Sequence, residues 1–298
     1  MEKALNTKIM MVVASMNLKD DTITCLDSLI QAGAVPEQII VVDNASTDGT
    51  VEAIRGRYQD KISIIANPEN IGLAGASNRG AALAYQKGAE WILLLNNDTE
   101  FAPDFFTQIE KAIDLGKGYQ LFHPAVMYYS DPEMIWHMGS KRIPGTLIYK
   151  DIYQGKRYSP DWPDLIPVDA ASSCALLIKR EAYEKIGLFD PKFFIYWEEV
   201  DLCWRAYLAG FHVAAMPKVK MWHKVSKTMN RVKARTRYLQ TRNQLYFYRK
   251  NTRGLQRPVM LLFSIYKSIV NGIRDLLNHQ PELIRSMADG WRDGWRGF

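Results

Sequence analysis

Three absences narrow the problem. Cysteine is scarce: Cys25, Cys174 and Cys203 are scattered and odd in number, which excludes a disulfide framework and a paired-cysteine metal site and favours a reducing compartment. Long apolar runs are missing. No stretch of about 18 uncharged apolar residues exists, so no membrane-spanning helix is expected. The start, Met1-Glu2-Lys3-Ala4-Leu5-Asn6, is not followed by a leader-like apolar region, and a cytoplasmic location is expected. Nucleotide-binding glycine signatures are missing too. No Gly-Lys-Ser/Thr occurs, and the turn after the first apolar strand, Ser15-Met16-Asn17, has no glycine.

Acids are also absent from one region. Between Lys218 and Arg257 there are 13 cations and no Asp or Glu. The remaining 25 cations face all 32 acids, a net of −7, so the overall charge of +6 is regional. Such a segment predicts an anionic contact: a diphosphate, lipid headgroups or nucleic acid.

What is present alternates. Apolar strands at 8–14, 38–42, 61–66 and 91–95 are separated by helices at 18–32, after Val51 and at 74–87. A helix over 101–115 follows. This rhythm implies βαβ units and a mostly parallel sheet flanked by helices, an α/β fold. Ligands of such sheets bind beyond the carboxyl ends of the strands. Asp43 and Asn96-Asn97-Asp98 stand at those ends. Each also has a plain reading as a turn or cap residue. In Asn70-Ile71-Gly72-Leu73-Ala74-Gly75-Ala76-Ser77-Asn78 small residues let backbone approach backbone or ligand closely.

From Tyr119 to Pro167 the pattern dissolves into aromatics, Pro and Gly, Trp136 and His137 among them. A strand over 170–178 resumes the order. Phe193-Phe194-Ile195-Tyr196-Trp197 then leads into Glu198-Glu199-Val200-Asp201, acids at the start of a helix running to Gly210. Acids suit a helix N-terminus for dipole reasons alone. A carboxylate placed there is expected to stay ionised near neutral pH and could take a proton from an attacking hydroxyl. Two short strands at 213–216 and 219–222 lead to His223. A basic helix follows over 231–250, and an amphipathic one over 258–278. The amphipathic helix would suit packing on the rest of the chain or on a second subunit, and the pair would suit a membrane surface.

Ile40-Val41-Val42-Asp43-Asn44-Ala45-Ser46-Thr47-Asp48-Gly49-Thr50, the Asn70–Gly80 stretch and Leu94-Leu95-Asn96-Asn97-Asp98, in that order, resemble family 2 glycosyltransferases of the GT-A fold, in particular the rhamnosyltransferase-like branch. The resemblance spans about 8–251. It implies inverting transfer of a sugar from a nucleotide diphosphate, dTDP-rhamnose before a UDP-sugar, to a glycan or lipid-linked glycan, with Mg²⁺ or Mn²⁺ as cofactor. It implies that Asp43 contacts the base and that Ser15, Asn70, Gly72, Asn78, Asn96, Asn97 and Asp98 hold the donor. Asn96-Asn97-Asp98 stands where the family carries Asp-x-Asp, so Asp98 is the carboxylate left for metal, with His223 as a second ligand. Glu199 matches the family's base, with Glu198, Trp197, Trp136 and His137 on the acceptor. Lys224, Lys227 and Thr228 would close over the diphosphate. Asp201 and Arg205 read as structural.

The implied organisation is a catalytic domain over 1–255, its donor half to about 118 and its acceptor half from 119, then a helical segment over 256–298. Peripheral contact with the inner face of the cell membrane would fit. Two rival classes remain open at this point. A sugar-nucleotide pyrophosphorylase would need a glycine-rich basic loop after strand one. A non-catalytic nucleic-acid or anionic-surface binder would use 218–257 but leave Asp43, Asp98, Glu199 and His223 without a role.

Overall fold

The computed structural model describes residues 8–225 and 233–296. Along the chain the elements are β1 (Ile9–Ser15), α1 (Lys19–Gln31), β2 (Ile39–Asp43), α2 (Thr50–Tyr58), β3 (Ser63–Ala66), α3 (Gly72–Gln86), β4 (Trp91–Asn96), β5 (Thr99–Phe101) and α4 (Phe105–Leu115). There follow β6 (Leu121–Tyr128), β7 (Ile135–His137), β8 (Ser140–Arg142), β9 (Tyr149–Asp151), β10 (Ile166–Val168), β11 (Ala175–Lys179), α5 (Arg180–Ile186), α6 (Glu198–Leu208) and β12 (Val213–His223). Helices α7 (Lys233–Asn251), α8 (Gln256–Leu277) and α9 (Pro281–Arg296) complete the described chain.

One sheet carries both halves, in the order β10-β12-β6-β11-β4-β1-β2-β3. Its central ladders β4-β1-β2-β3 are parallel, and β11 enters antiparallel between β4 and β6. Strand side chains alternate across the sheet. Met10, Val12 and Ala14 of β1 therefore face α3, α5 and α6, while Ile9, Met11 and Val13 face α1, α2 and α4. Both faces are covered, which is why these strands read as continuous apolar runs.

The expected strands and helices of the first 100 residues stand within a few positions of their sequence limits. Three departures have local causes. The helix expected from 101 begins at Phe105, because Thr99–Phe101 is a strand paired with β12. β6 runs through the region read as irregular and carries Pro124, a residue that argues against an interior strand. It is tolerated because β12 bulges between Met216 and Lys220, opposite Pro124. The same bulge makes one strand, β12, read as two.

α3 packs unusually close to its neighbours. A Cβ on Gly80 would collide with Val12, and one on Gly72 with Phe194; Gly72 also has φ +79°. The small residues of α3 thus serve contact between protein segments.

The basic segment is largely spent within the protein. Lys224 pairs with Asp21 and Glu100, both at 2.9 Å, and Lys250 with Asp190 and Asp201 at 2.8 and 3.0 Å. Arg237 binds Asp275 at 2.8 Å, and Arg242 and Arg249 donate to backbone carbonyls of Phe193 and Trp295. The cations clustered in sequence meet the acids spread over the rest of it.

Candidate active site

Parallel register sets the donor edge. Ser15 is paired with Asp43 and Ala14 with Asn96, so the carboxyl ends of β1, β2 and β4 lie side by side. Beyond them opens a cavity of about 660 Å³, within the range of small-ligand sites. Ser15, Asn70, Gly72, Asn96, Asn97, Asp98, Trp136, His137, Trp197, Glu198, Glu199 and His223 all line it.

His223 reaches Asp98 through topology. The antiparallel pairing of β12 with β5 sets His223 opposite Thr99, and Lys224 N–H donates to the Asp98 carbonyl at 3.0 Å. The His223 Nε2 to Asp98 Oδ1 distance is 3.1 Å, with both side chains buried. Trp136 packs edge-on against the imidazole, its ring centre 4.6 Å away. Nδ1 of His223 is buried without a hydrogen-bond partner. Burial opposes a charged imidazole, but the contacts with Cys174 and Asp98 outweigh it and push the pKa up to about 10.

The other end of the cavity is built on strain. Phe194, Tyr196 and Trp197 have φ of 66°, 72° and 73°, a region that costs a non-glycine residue about 1–3 kcal/mol. Asn243 of α7 holds them in place. Fully buried, its Nδ2 lies 2.8 Å from the carbonyls of Phe193, Ile195 and Tyr196. Asp201 anchors the next turn. It is buried and binds Arg205 at 2.8 Å, Lys250 at 3.0 Å and Asn251 at 3.1 Å. Arg205 donates to the Ile186 and Leu188 carbonyls. Both residues are structural, as their spacing implies.

Glu198 and Glu199 open α6 against the cavity. Oε1 of Glu198 accepts from Ser173 Oγ at 2.8 Å, and Oε2 of each glutamate is buried without a hydrogen-bond partner. Here the expectation of a carboxylate ionised at neutral pH meets an opposing effect. Burial pushes both pKa values up, and Glu198's charge lifts Glu199 well above the carboxylate range. The helix dipole is the smaller effect, because two adjacent carboxyls removed from water cannot both ionise cheaply. The Ser173 hydrogen bond favours charge on Glu198, and a charge there in turn favours the proton on Glu199.

Two donor candidates fall outside the cavity lining. Asp43 is buried, its carboxylate accepting from Ser46 N–H at 2.9 Å and Ser46 Oγ at 2.5 Å, which makes it the acid of a tight turn. Asn78 exchanges two hydrogen bonds with the backbone of Phe189, at 2.8 and 3.0 Å. Asn97 lines the cavity, but its Nδ2 is committed to Thr22 Oγ1 and the Asn17 carbonyl at 2.8 and 3.1 Å, tying β4 to the start of α1. Lys224 is held by its two acids; Lys227 and Thr228 lie outside the described residues. Conversely, Asp151, Ser173, Arg235 and Lys267 line the cavity without having been singled out in sequence. Arg235 sits among the run of cations, and Lys267 ten residues beyond its end. Asp151 and Ser173 carry no local signal.

Comparison with known proteins decides the family. A profile of glycosyl transferase family 2 matches residues 11–187, more than half of the chain. The chain belongs to glycosyl transferase family 2. The matched segment carries the Asp98 end of the cavity and stops short of Glu198. Relatives extend further. The chain is 25% identical over 221 residues to an N-acetylglucosaminyl-diphospho-decaprenol L-rhamnosyltransferase of Mycobacterium tuberculosis, covering 66% of this chain and 70% of that protein. It is 23% identical over 275 residues to the dTDP-rhamnosyl transferase RfbF of Shigella flexneri, covering 87% and 86%. A stretch of that length cannot avoid residues 198–199. Among solved structures, the mannosyltransferase PcManGT from Pyrobaculum calidifontis, in complex with GDP-Man and Mn²⁺, aligns over 97% of this chain and 77% of its own, at 16% identity and a TM-score of 0.55. GalNAc-T7, with UDP, GalNAc and Mn²⁺, aligns over 81% of this chain at 16% identity and a TM-score of 0.59; this chain spans half of its length. The fold is that of GT-A glycosyltransferases, with a helical region at the C-terminal side.

Proposed function

We propose that this glycosyltransferase is metal-dependent and inverting, and that it moves a sugar, rhamnose from dTDP-rhamnose before one from a UDP-sugar, onto a hydroxyl of a glycan or lipid-linked glycan in bacterial surface-polysaccharide synthesis. The observation that carries this reading is the cavity itself, which joins an Asp98–His223 pair at one end to a Glu198–Glu199 pair at the other. The names of the two rhamnosyltransferase relatives favour the donor, and the decaprenol-linked substrate named for one favours a lipid-linked acceptor.

The residues present fit Mg²⁺ or Mn²⁺. A carboxylate and an imidazole nitrogen 3.1 Å apart face one another at the cavity wall, the donor set those ions accept once the imidazole gives up its proton. No group of three such side chains occurs among the described residues, so phosphate oxygens of the donor would complete the shell. The ion would neutralise the charge that develops on the departing diphosphate.

The chain's own residues supply the remainder. Ser15, Asn70 and Asn96 border the donor, and Asp43, at the end of β2 beside Ser15, would meet the base. Trp197, Trp136 and His137 offer rings and an imidazole to the acceptor. Glu199, once deprotonated, takes the acceptor's hydroxyl proton as that oxygen bonds to the anomeric carbon. The bond from that carbon to the diphosphate oxygen breaks on the opposite face, so the configuration inverts. Glu198 orients the acceptor and Glu199 from its hydrogen bond to Ser173.

A thermal-shift panel of nucleotide sugars, each with and without Mn²⁺, tests the reading. The matching donor at 100 times its Kd should stabilise the fold by about 2.7 kcal/mol, and only with the ion present. A panel in which no nucleotide sugar shifts the transition would remove the proposal. The enzyme is expected to work in the cytoplasm, at the inner face of the membrane.

A further inference from the structure

α8 turns an apolar face outward along its whole length. Val259, Leu262, Tyr266, Ile269, Ile273 and Leu276 recur every three or four residues, and Leu262, Ile269 and Leu276 are 66%, 57% and 61% exposed. The opposite side packs inward. Met260 and Ser264 are buried, and Trp291 of α9 donates to Ser268 Oγ at 2.8 Å. A helix of this length presents a stripe of about 33 Å.

The exposed charges of α8 and of the turn before it are of one sign. Arg253, Arg257, Lys267 and Arg274 are exposed. The one acid of α8, Asp275, is buried against Arg237 at 2.8 Å. We propose that α8 is a docking surface that lies in the plane of an anionic lipid bilayer, its apolar stripe in the headgroup boundary and its cations among the headgroups. An amphipathic helix rich in cations is the form such a surface takes. No described helix is long and apolar enough to cross a membrane, so α8 lies on the bilayer. A second copy fits less well: a two-fold contact would bring the same cations of both copies together. The basic helix α7 is not part of this surface, because Arg237, Arg242, Arg249 and Lys250 are committed within the protein.

The placement has a consequence for the site. Phe263 and Lys267 of α8 also line the cavity that holds Glu199. Docking through α8 therefore brings the Glu199 end of the cavity to the bilayer, where the headgroup of a lipid-linked sugar would stand. Binding to the surface is nonetheless independent of which sugar moves, or of whether one does.

Vesicle sedimentation with the full chain tests the surface. Vesicles of about three parts phosphatidylcholine to one part phosphatidylglycerol should bind it at least roughly tenfold more tightly than pure phosphatidylcholine, because each cation near an anionic surface adds to binding. The triple variant Leu262→Ser/Ile269→Ser/Leu276→Ser should lose binding to both while keeping its circular dichroism and Tm. The variant Arg253→Gln/Arg257→Gln/Arg274→Gln should bind both vesicles alike. Equal binding of the unaltered chain to both vesicles would overturn the proposal. So would failure to bind either, with sedimentation showing a dimer that the serine variant dissociates; the stripe would then join two copies.

Discussion

Glu199→Gln should lower kcat by roughly 10²–10⁴-fold with donor binding nearly unchanged, the range a positioned general base contributes. A sugar hydroxyl loses its proton far above neutral pH, so proton removal must accompany attack. The amide keeps the size and polarity of the side chain but cannot accept the proton as a carboxylate does. Glu198→Gln should act mainly on the acceptor KM. Asp201→Asn gives the contrast, since that carboxylate is buried among Arg205, Lys250 and Asn251; its loss should lower Tm more than it lowers kcat per folded molecule. Steady-state kinetics on the three variants, with Tm measured on each, separates these roles. Full activity of Glu199→Gln beside a dead Glu198→Gln would move the base by one residue.

Asp98→Ala should weaken Mn²⁺-dependent donor binding by at least the roughly 10–100-fold that loss of a metal's supporting partner costs. It removes the carboxylate that faces the cavity beside His223. The fold should survive, because Asp98 lies in the turn between β4 and β5, where the backbone contact of its carbonyl with Lys224 N–H remains. Calorimetric titration of the donor nucleotide with and without Mn²⁺ reads the change. Equal Mn²⁺-dependent affinity in Asp98→Ala and the unaltered chain would mean that the ion is held elsewhere.

How much of this was legible in the sequence depends on the range of the interaction. The alternating apolar strands and helices of the first half follow from local pattern, and β1 to β4 stand where their runs predict. β6 was hidden by Pro124, which makes sense only beside the bulge of β12. The Asp98–His223 contact depends on β12 pairing with β5, and only the resemblance to a family placed the two together. The role of α7 was only partly legible from its charge. In sequence it is a basic stripe; in the fold its cations and Asn243 brace the strained turn that presents Glu198 and Glu199. The upward pull on the Glu199 pKa was not legible either, because a helix start argues for an ionised acid and only tertiary burial opposes that.

The pH dependence of kcat/KM tests the role of Glu199 most directly. The base must be deprotonated, so activity should be lost as pH falls through its raised pKa. The acid limb should therefore lie above the ordinary carboxylate range of about 4. Glu198→Gln removes the neighbouring charge that raises this pKa, and the limb should move to lower pH while the remaining burial keeps it above that range. A limb at the ordinary carboxylate value in the unaltered chain, unmoved by Glu198→Gln, would contradict the assignment of Glu199 as the group that takes the proton.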